Sequence, residues 1–221
     1  MAVGVGGGAW LNPVTVTAAE PGAVIDAWMN AQSELQTWSA GFTQTRSLKA
    51  LSQPLVSTGR VWFAAPNRFR WELGEPAQTI AVRDLDQMLV IYPRLKRAER
   101  YPLTGPEAGM MGEALALLDA GFPRGRAAFD ARFRLLTLVE TNGAWRMDLQ
   151  PVSAGARRVM PSLMVTVATN DFRLLANEVV FPDGSRMRND FTNATLNGPV
   201  DDRLFRPTLG PDILVTEPLA R

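Results

Sequence analysis

The sequence predicts a mainly β, single-domain protein in which one antiparallel sheet forms a sandwich or a barrel and two helices cover it. About ten short runs alternate apolar and polar residues with the period of a strand, whereas only two segments show the period of an amphipathic helix. The strands follow one another too closely for the crossover helices of a parallel sheet. Asn142-Gly143 and Asp183-Gly184 supply the residue types that tight hairpin turns require.

The first predicted helix spans residues 22–37, and Pro21 stands where its first turn begins. Its apolar residues form one face: Val24, Ala27, Trp28, Ala31 and Leu35. The second predicted helix spans residues 106–120 and ends at Gly121. It is apolar over more than half of its circumference, through Met110, Met111, Ala114, Leu115, Leu117 and Leu118.

Strand character dominates the rest of the chain. The strictest alternation lies in Arg68–Leu73, where one face is aromatic and apolar and the other is charged. The predicted strands cover residues 38–43, 60–65, 68–73, 78–82, 87–92, 97–101, 132–139, 144–149, 163–168, 174–181 and 186–192.

The composition excludes several classes of function. Lys and Arg number 23 against 22 Asp and Glu, so the chain lacks the positive excess of a nucleic-acid binder. It has no histidine and no cysteine, which excludes catalytic triads that use either residue, and also haem, iron–sulfur and zinc sites that use such ligands. We therefore expect no cofactor and no metal. A carboxylate-based enzyme stays open.

The chain is expected to form one domain over residues 22–221. Residues 1–21 are rich in Gly, Ala and Val, carry no charge before Glu20, and are expected to be a disordered leader or the remnant of a signal. No stretch approaches the length of a transmembrane helix, so no integral membrane segment is expected.

Three groups of residues could carry function. Core packing is the favoured interpretation of the Met and Leu residues of 106–120 and of the aromatic row in strands 60–65 and 68–73, with a wall for acyl chains as the alternative. The basic residues of 94–100 are typical of an exposed edge strand, and could also meet an anionic head group or an acidic partner. Asp84 and Asp86 are expected to lie solvated in a turn.

Motifs in a fixed order give the chain a resemblance to a known family. An F-x-Q motif lies at 42–44, a G-x-[LV]-W motif at 59–62 and a P-N-x-F-x-W motif at 66–71. Residues 88–93 are similar to the strand before the family's lid helix, and residues 197–213 to its C-terminal end. Together they resemble the LolA family, the periplasmic carriers of outer-membrane lipoproteins.

The resemblance implies an incomplete antiparallel β-barrel of about 10–11 strands, with a helical lid that encloses a hydrophobic cavity. It implies a periplasmic protein, not an enzyme, that takes an acylated lipoprotein or another lipid from an inner-membrane transporter to an outer-membrane receptor. The cavity is expected to be lined by Trp38, Phe42, Val61, Phe63, Phe69, Trp71, Ile80, Leu89 and Ile91, with Met110, Met111, Leu115 and Leu118 on the lid.

One position departs from the family pattern. Members often carry an arginine immediately before the Pro-Asn pair, where it is proposed to hold the lid shut, and this chain has Ala65 there. A lid that closes in another way, or a relative that handles a different lipid, would explain the change.

Two other functions are considered. The same fold serves as a domain that senses lipoproteins and regulates an anti-sigma factor, although such regulators usually carry a further domain. An enzyme with two carboxylates would need a pair about 5–10 Å apart in a cleft, and the candidates in the first half are Glu72, Glu75, Asp84 and Asp86.

Overall fold

The computed structural model describes residues 20–84, 87–103 and 120–218. Twelve strands form a single sheet. They are β1 (Thr37–Ser47), β2 (Leu55–Ala64), β3 (Arg68–Leu73), β4 (Thr79–Asp84), β5 (Gln87–Tyr92), β6 (Arg97–Pro102), β7 (Phe133–Thr141), β8 (Ala144–Pro151), β9 (Ser162–Ala168), β10 (Leu174–Val180), β11 (Arg186–Leu196) and β12 (Leu214–Thr216).

The sheet consists of two antiparallel meanders joined by one pairing. Its order is β12-β6-β5-β4-β3-β2-β1-β11-β10-β9-β8-β7, so β1 and β11 connect the two halves of the chain. Among the described residues β7 pairs only with β8 and β12 only with β6, and the sheet therefore stays open. The expected mainly β, incomplete antiparallel barrel is confirmed.

The charge of the basic strand at 97–101 suggested an edge strand, but the strand has a neighbour on each side. β12 pairs with it in parallel, with Leu214 opposite Arg97 and Thr216 opposite Glu99. Its positive charges are matched by carboxylates, because Lys96 pairs with Asp212 at 3.1 Å and Arg100 with Glu217 at 3.2 Å. A strand of three residues leaves no alternation to read, which is why the sequence did not predict β12.

Both predicted hairpin turns are present. Asn142 and Gly143 join β7 to β8 with φ of 51° and 72°, the left-handed conformation that favours these two residue types. Gly184 has φ of 85° between β10 and β11, and the Asp183 carboxylate accepts hydrogen bonds from the backbone and the hydroxyl of Ser185, each at 2.9 Å.

The first helix, α1 (Pro21–Ser33), is shorter than predicted, and its buried face differs. The buried residues are Val24, Ile25, Trp28, Met29 and Gln32, so the predicted Ala27 lies outside the stripe. The helix ends early because the Asn197 side chain accepts hydrogen bonds from the backbone amides of Gln36 and Thr37, at 2.8 and 3.3 Å. These bonds commit the chain to the extended start of β1.

The predicted second helix lies outside the described residues except for Ala120. The structure adds two short helices that the sequence did not predict, α2 (Arg126–Arg132) and α3 (Ala154–Val159). None of the helices in the described ranges has the length and apolar character needed to span a bilayer. Residues 1–19 lie outside the description, so the expected leader stays a prediction.

The two faces of the sheet are covered by different parts of the chain. We call the inner face the one that packs against α1 and α2 in the large core cluster. The outer face is crossed by residues 197–213, here called the C-terminal strap, whose Phe205 is 1% exposed and packs against Ala64 and Val82. Arg70 donates to the carbonyl of Leu204 at 3.0 Å and fixes the strap to β3.

Candidate lipid-binding site

Six of the nine strand residues expected to line the cavity share the inner face. The pairing places Trp38 opposite Phe63 and Phe63 opposite Phe69, which puts these three rings in one row across β1, β2 and β3. Val61 and Trp71 form the neighbouring row. Phe42 follows on β1, and its ring lies 4.0 Å from that of Trp71. All six are buried or half-buried.

Ile80, Leu89 and Ile91 lie on the outer face, which corrects their expected position. Ile80 pairs with Glu72 and with Ile91, while Leu89 pairs with Val82, and these positions have the opposite parity to Trp71. Ile80 packs against the Phe205 cluster under the strap. Met110, Met111, Leu115 and Leu118 lie outside the described residues, so their place on a lid stays a prediction.

The inner face is filled by the protein's own aromatic side chains. Phe122 stacks on Phe63 with 4.5 Å between ring centroids and 6° between planes, and it lies 5.1 Å from Trp38. From the other side Phe191 lies 5.1 Å from Trp38 and 6.2 Å from Trp71. Aromatic pairs in such geometries stabilise by about 0.5–1.5 kcal/mol each beyond their burial.

Phe122 and Phe191 are the contributors that sequence reasoning missed. Phe122 lies in an irregular segment just after the predicted second helix, where no periodicity marks its direction. Phe191 falls in a predicted strand, but its face follows only from its pairing with Phe42. A helical signal did exist for Phe129 and Phe133, whose spacing of four residues brings their rings to 5.7 Å across the end of α2.

A cleft of about 260 Å³ opens beside the Phe63–Phe122 pair. Its lining combines aromatic and cationic residues: Phe63, Pro66, Asn67, Arg83, Phe122, Pro123, Arg124, Ala128, Phe129, Arg132 and Phe133. The volume lies below the roughly 300–1,000 Å³ of pockets that hold drug-sized ligands. It is therefore too small for three acyl chains with Phe122 in place.

A ladder of buried amides crosses the inner face beyond the aromatic cluster. Gln44 donates to Asn189 at 3.0 Å, and Asn189 donates to Asn177 at 2.8 Å. All three side chains are less than 10% exposed. Because the chain of bonds links β1, β11 and β10, it fixes the pairing that joins the two halves of the sheet.

Glu99 anchors two tyrosines on the inner face at β5 and β6. It accepts a hydrogen bond from Tyr101 at 2.8 Å and pairs with Arg97 at 3.1 Å. Burial, with the hydrogen bond to Glu99 and its charge, raises the pKa of Tyr101 to about 12. Burial and the charge of Glu99 also raise the pKa of Tyr92. Neutral hydroxyl groups therefore line this part of the face at neutral pH.

Three of the four carboxylates considered for an enzyme pair with an arginine. Glu72 bonds to Arg70 at 2.6 Å, and Asp84 lies 3.5 Å from Arg206. Glu72 stands opposite Ile80 on β4, and Asp84 lies four residues farther along that strand. At roughly 3.3 Å per residue this is ~13 Å, beyond the separation of a glycosidase pair. Glu75 reaches Arg60 at 4.0 Å, and Asp86 lies outside the described residues.

Comparison with known proteins identifies the family. The family model described as "Outer membrane lipoprotein carrier protein LolA" matches residues 33–208, from the end of α1 to the C-terminal strap. The chain belongs to the LolA family. This family is defined by carriage and not by a catalytic activity.

One relative agrees with this membership, and a solved structure shares the fold. An outer-membrane lipoprotein carrier protein of Methylibium petroleiphilum is 27% identical over 212 residues, which cover 94% of this LolA-family chain and 98% of the relative. An uncharacterized conserved protein of Thermus thermophilus shares the fold, with a TM-score of 0.52 at 13% identity over 89% of this chain and 98% of that one. A LolA superfamily protein of Nitrosomonas europaea gives a TM-score of 0.44 at 9% identity, covering 85% and 98%.

The LolA-type motifs have clear structural reasons in this chain. Gly59 opens the G-x-[LV]-W motif and lies opposite Phe42 on the inner face. A Cβ atom there would lie 2.4 Å from the Phe42 ring and 2.1 Å from the carbonyl oxygen of Glu72. Only glycine therefore lets Phe42 reach Trp71. Gln44 of the F-x-Q motif begins the amide ladder.

Proposed function

We propose that this protein carries an acylated lipoprotein, or a related lipid, through the periplasm, with its acyl chains held on the inner face of the sheet. The observation that carries the proposal is the aromatic lining that β1, β2 and β3 present to a single side chain, Phe122. The family and the Methylibium relative support the class of cargo. Transport then runs from an inner-membrane transporter to an outer-membrane receptor, by binding and release without catalysis.

The cargo enters by exchanging places with Phe122. Removing a buried phenylalanine from a core costs about 3–5 kcal/mol. Transferring an acyl chain of about sixteen carbons from water is worth on the order of 12 kcal/mol at ~0.8 kcal/mol per methylene. The exchange is therefore favourable for a single chain, and the empty carrier keeps its aromatic surface covered until cargo arrives.

Release also follows from this arrangement. When the cargo leaves, the Phe63–Phe122 stack forms again and returns part of the free energy that binding consumed. The binding free energy for the cargo is therefore less favourable, by this amount, than that of an aromatic groove that stays open. A receptor that binds the acyl chains more tightly can then take them by direct contact.

Two tryptophans on neighbouring strands provide a matched test. Trp71 on β3 faces inward beside Phe42, and Trp62 on β2 faces outward beside Ala64, and both are half-buried. In native mass spectrometry with delipidated protein and a triacylated lipopeptide, we expect one peptide per protein, and none of the same peptide without acyl chains. Trp71→Ala lowers the affinity at least ~tenfold, equal to ~1.4 kcal/mol, while Trp62→Ala changes it less than about twofold.

If Trp71→Ala and Trp62→Ala lower the affinity for the lipopeptide equally, the acyl chains do not bind specifically on the inner face. If the peptide without acyl chains binds as well, the protein does not recognise the acyl chains and the lipid-carrier proposal is wrong. Endogenous phospholipid in the undelipidated sample, with no lipopeptide bound, would assign a different lipid to the same face.

A further inference from the structure

The cleft beside Phe122 contains an arginine in an unusual setting. Arg124 lies with its guanidinium carbon 5.1 Å from the centroid of the Phe63 ring. It donates one hydrogen bond, from Nη1 to the carbonyl of Leu35 at 3.1 Å. A guanidinium has five N–H donors, so most of the donors of Arg124 are available to a ligand in the cleft.

No carboxylate balances Arg124 within the described part of the chain. Burial is the one resolved cause that acts on its pKa, and it lowers that pKa. Arg126, two residues later, has the opposite environment, since it pairs with Asp26 at 2.9 Å and Asp130 at 2.7 Å, and its pKa is raised. A partly desolvated cation without a counter-ion favours the binding of an anion.

The rest of the cleft fits the same chemistry. None of its described lining residues is acidic. Arg83 and Arg132 also line it, but each has an interaction partner of its own, so Arg124 is the group assigned to the ligand. Oδ1 of Asn67 is buried without a hydrogen-bond partner and can accept from a protonated oxygen. Phe63, Phe122 and Phe129 also line the cleft and give it hydrocarbon surface beside the guanidinium of Arg124.

We propose that this cleft binds the anionic head group, a phosphate or a carboxylate, of an amphiphile whose hydrocarbon chain takes the place of Phe122 against Phe63. The guanidinium of Arg124 holds the oxyanion, and the aromatic wall holds the first part of the chain. The inference rests on the proposed function, because it assigns a head-group chemistry to the lipid that the inner face carries. The cleft of about 260 Å³ is large enough for such a head group.

Isothermal titration with the delipidated full chain tests the assignment. The probes are dodecyl phosphate, dodecyl maltoside and inorganic phosphate, each below its micellar concentration and at low salt. The variants are Arg124→Gln and Arg124→Lys, with Arg126→Gln as the matched control, because Arg126 is exposed like Arg124 but is already paired with carboxylates. Circular dichroism verifies that each variant is folded.

We expect dodecyl phosphate to bind roughly ten- to a hundredfold more tightly than dodecyl maltoside, the range of a charge-assisted hydrogen bond. Arg124→Gln abolishes this preference, Arg124→Lys keeps part of it, and Arg126→Gln keeps all of it. Added salt reduces the preference.

Three outcomes would overturn the inference. They are equal affinity for the two dodecyl compounds, an equal effect of the Arg124 and Arg126 substitutions, and inorganic phosphate binding as tightly as dodecyl phosphate. A triacylated lipopeptide run in parallel separates the two proposals. If it binds while the head-group preference is absent, only the cleft assignment fails. If it does not bind while the preference depends on Arg124, only the carrier proposal fails.

Discussion

At the scale of single residues, Glu99 affects the protonation of the two tyrosines beside it on the inner face. Its side chain is 15% exposed, and it lies close to the hydroxyl groups of Tyr92 and Tyr101 and to the guanidinium of Arg97. Arg97 forms an ion pair with it at 3.1 Å. The two hydroxyl groups stay protonated because a second negative charge beside Glu99 would be unfavourable.

We expect a tyrosine titration to detect this cluster, because the chain has only two tyrosines. The pKa of Tyr101 is raised from 10.0 to about 12 and that of Tyr92 is also raised. A raised folded-state pKa contributes stability that is complete below pH ~10 and is lost as the pH rises toward ~12. Absorbance at the tyrosinate band should therefore show little ionisation at pH 10 in the folded protein, and about half in denaturant.

Substitution of Glu99 gives the control for this titration. Glu99→Gln removes the charge and weakens the hydrogen bond, so both pKa values move toward 10, although burial keeps them above it. Glu178→Gln, which removes a carboxylate bonded to Arg186 away from the tyrosines, leaves them unchanged. Ordinary midpoints near pH 10 in the folded wild-type protein would contradict the burial of this cluster.

At the scale of elements, the C-terminal strap explains why the outer face of β4 and β5 is apolar. Phe205 is almost fully buried on Ala64 and Val82, and the guanidinium of Arg68 lies 4.9 Å from its ring centroid. Asp202 bonds to the same arginine at 2.9 Å. The strap thus replaces solvent on a face that an open sheet would otherwise expose.

Phe205→Ala is expected to lower the free energy of unfolding by about 3–5 kcal/mol, as for other buried phenylalanines. Urea unfolding followed by circular dichroism measures this change. Leu95→Ala is the comparison, since Leu95 is 67% exposed and its substitution should stay within about 0.5 kcal/mol. Similar losses for the two variants would mean that the strap does not bury Phe205 in solution.

The strap also marks the limit of what the sequence could predict. Most strands were predicted because one face is apolar and the other polar, as in Arg68–Leu73. The run Gln87–Tyr92 is apolar on both faces, because the strap covers the outer one, so its alternation vanishes. The faces of Ile80, Leu89 and Ile91 follow only from the register of the pairing, and for these three the sequence-based expectation was wrong.

Other residues of the site could not be predicted from the sequence for a different reason. Phe122 and Arg124 belong to an irregular segment, where a side chain is directed by tertiary contacts and not by a period. The Ala65 substitution removes the arginine of the family pattern, yet the neighbouring Pro66 and Asn67 line a cleft that contains Arg124. Strand pairing places Trp38, Phe63 and Phe69, three of the residues expected to line the cavity, in one inner row, and their contact with lipid stays a prediction.

At the scale of the whole molecule, stability and cargo affinity oppose each other through one side chain. Phe122 contributes to the core of the empty protein by stacking on Phe63 and packing against Trp38. In the proposed carrier the acyl chain takes its place, so every interaction that Phe122 makes is subtracted from the affinity for cargo. A substitution that weakens the fold at this position should therefore strengthen lipid binding.

Phe122→Ala is expected to lower the free energy of unfolding by about 3–5 kcal/mol and to raise the affinity for a triacylated lipopeptide at least ~tenfold. Phe205→Ala separates this effect from general destabilisation, because it removes another buried phenylalanine, from the outer face. Urea unfolding and native mass spectrometry on the same preparations measure both quantities. If both variants bind lipopeptide equally, or if Phe122→Ala binds it more weakly, Phe122 does not compete with the cargo. If only Phe122→Ala gains affinity, the empty carrier occupies its own binding site, and the strength of the Phe122 contacts sets how readily it gives up its load.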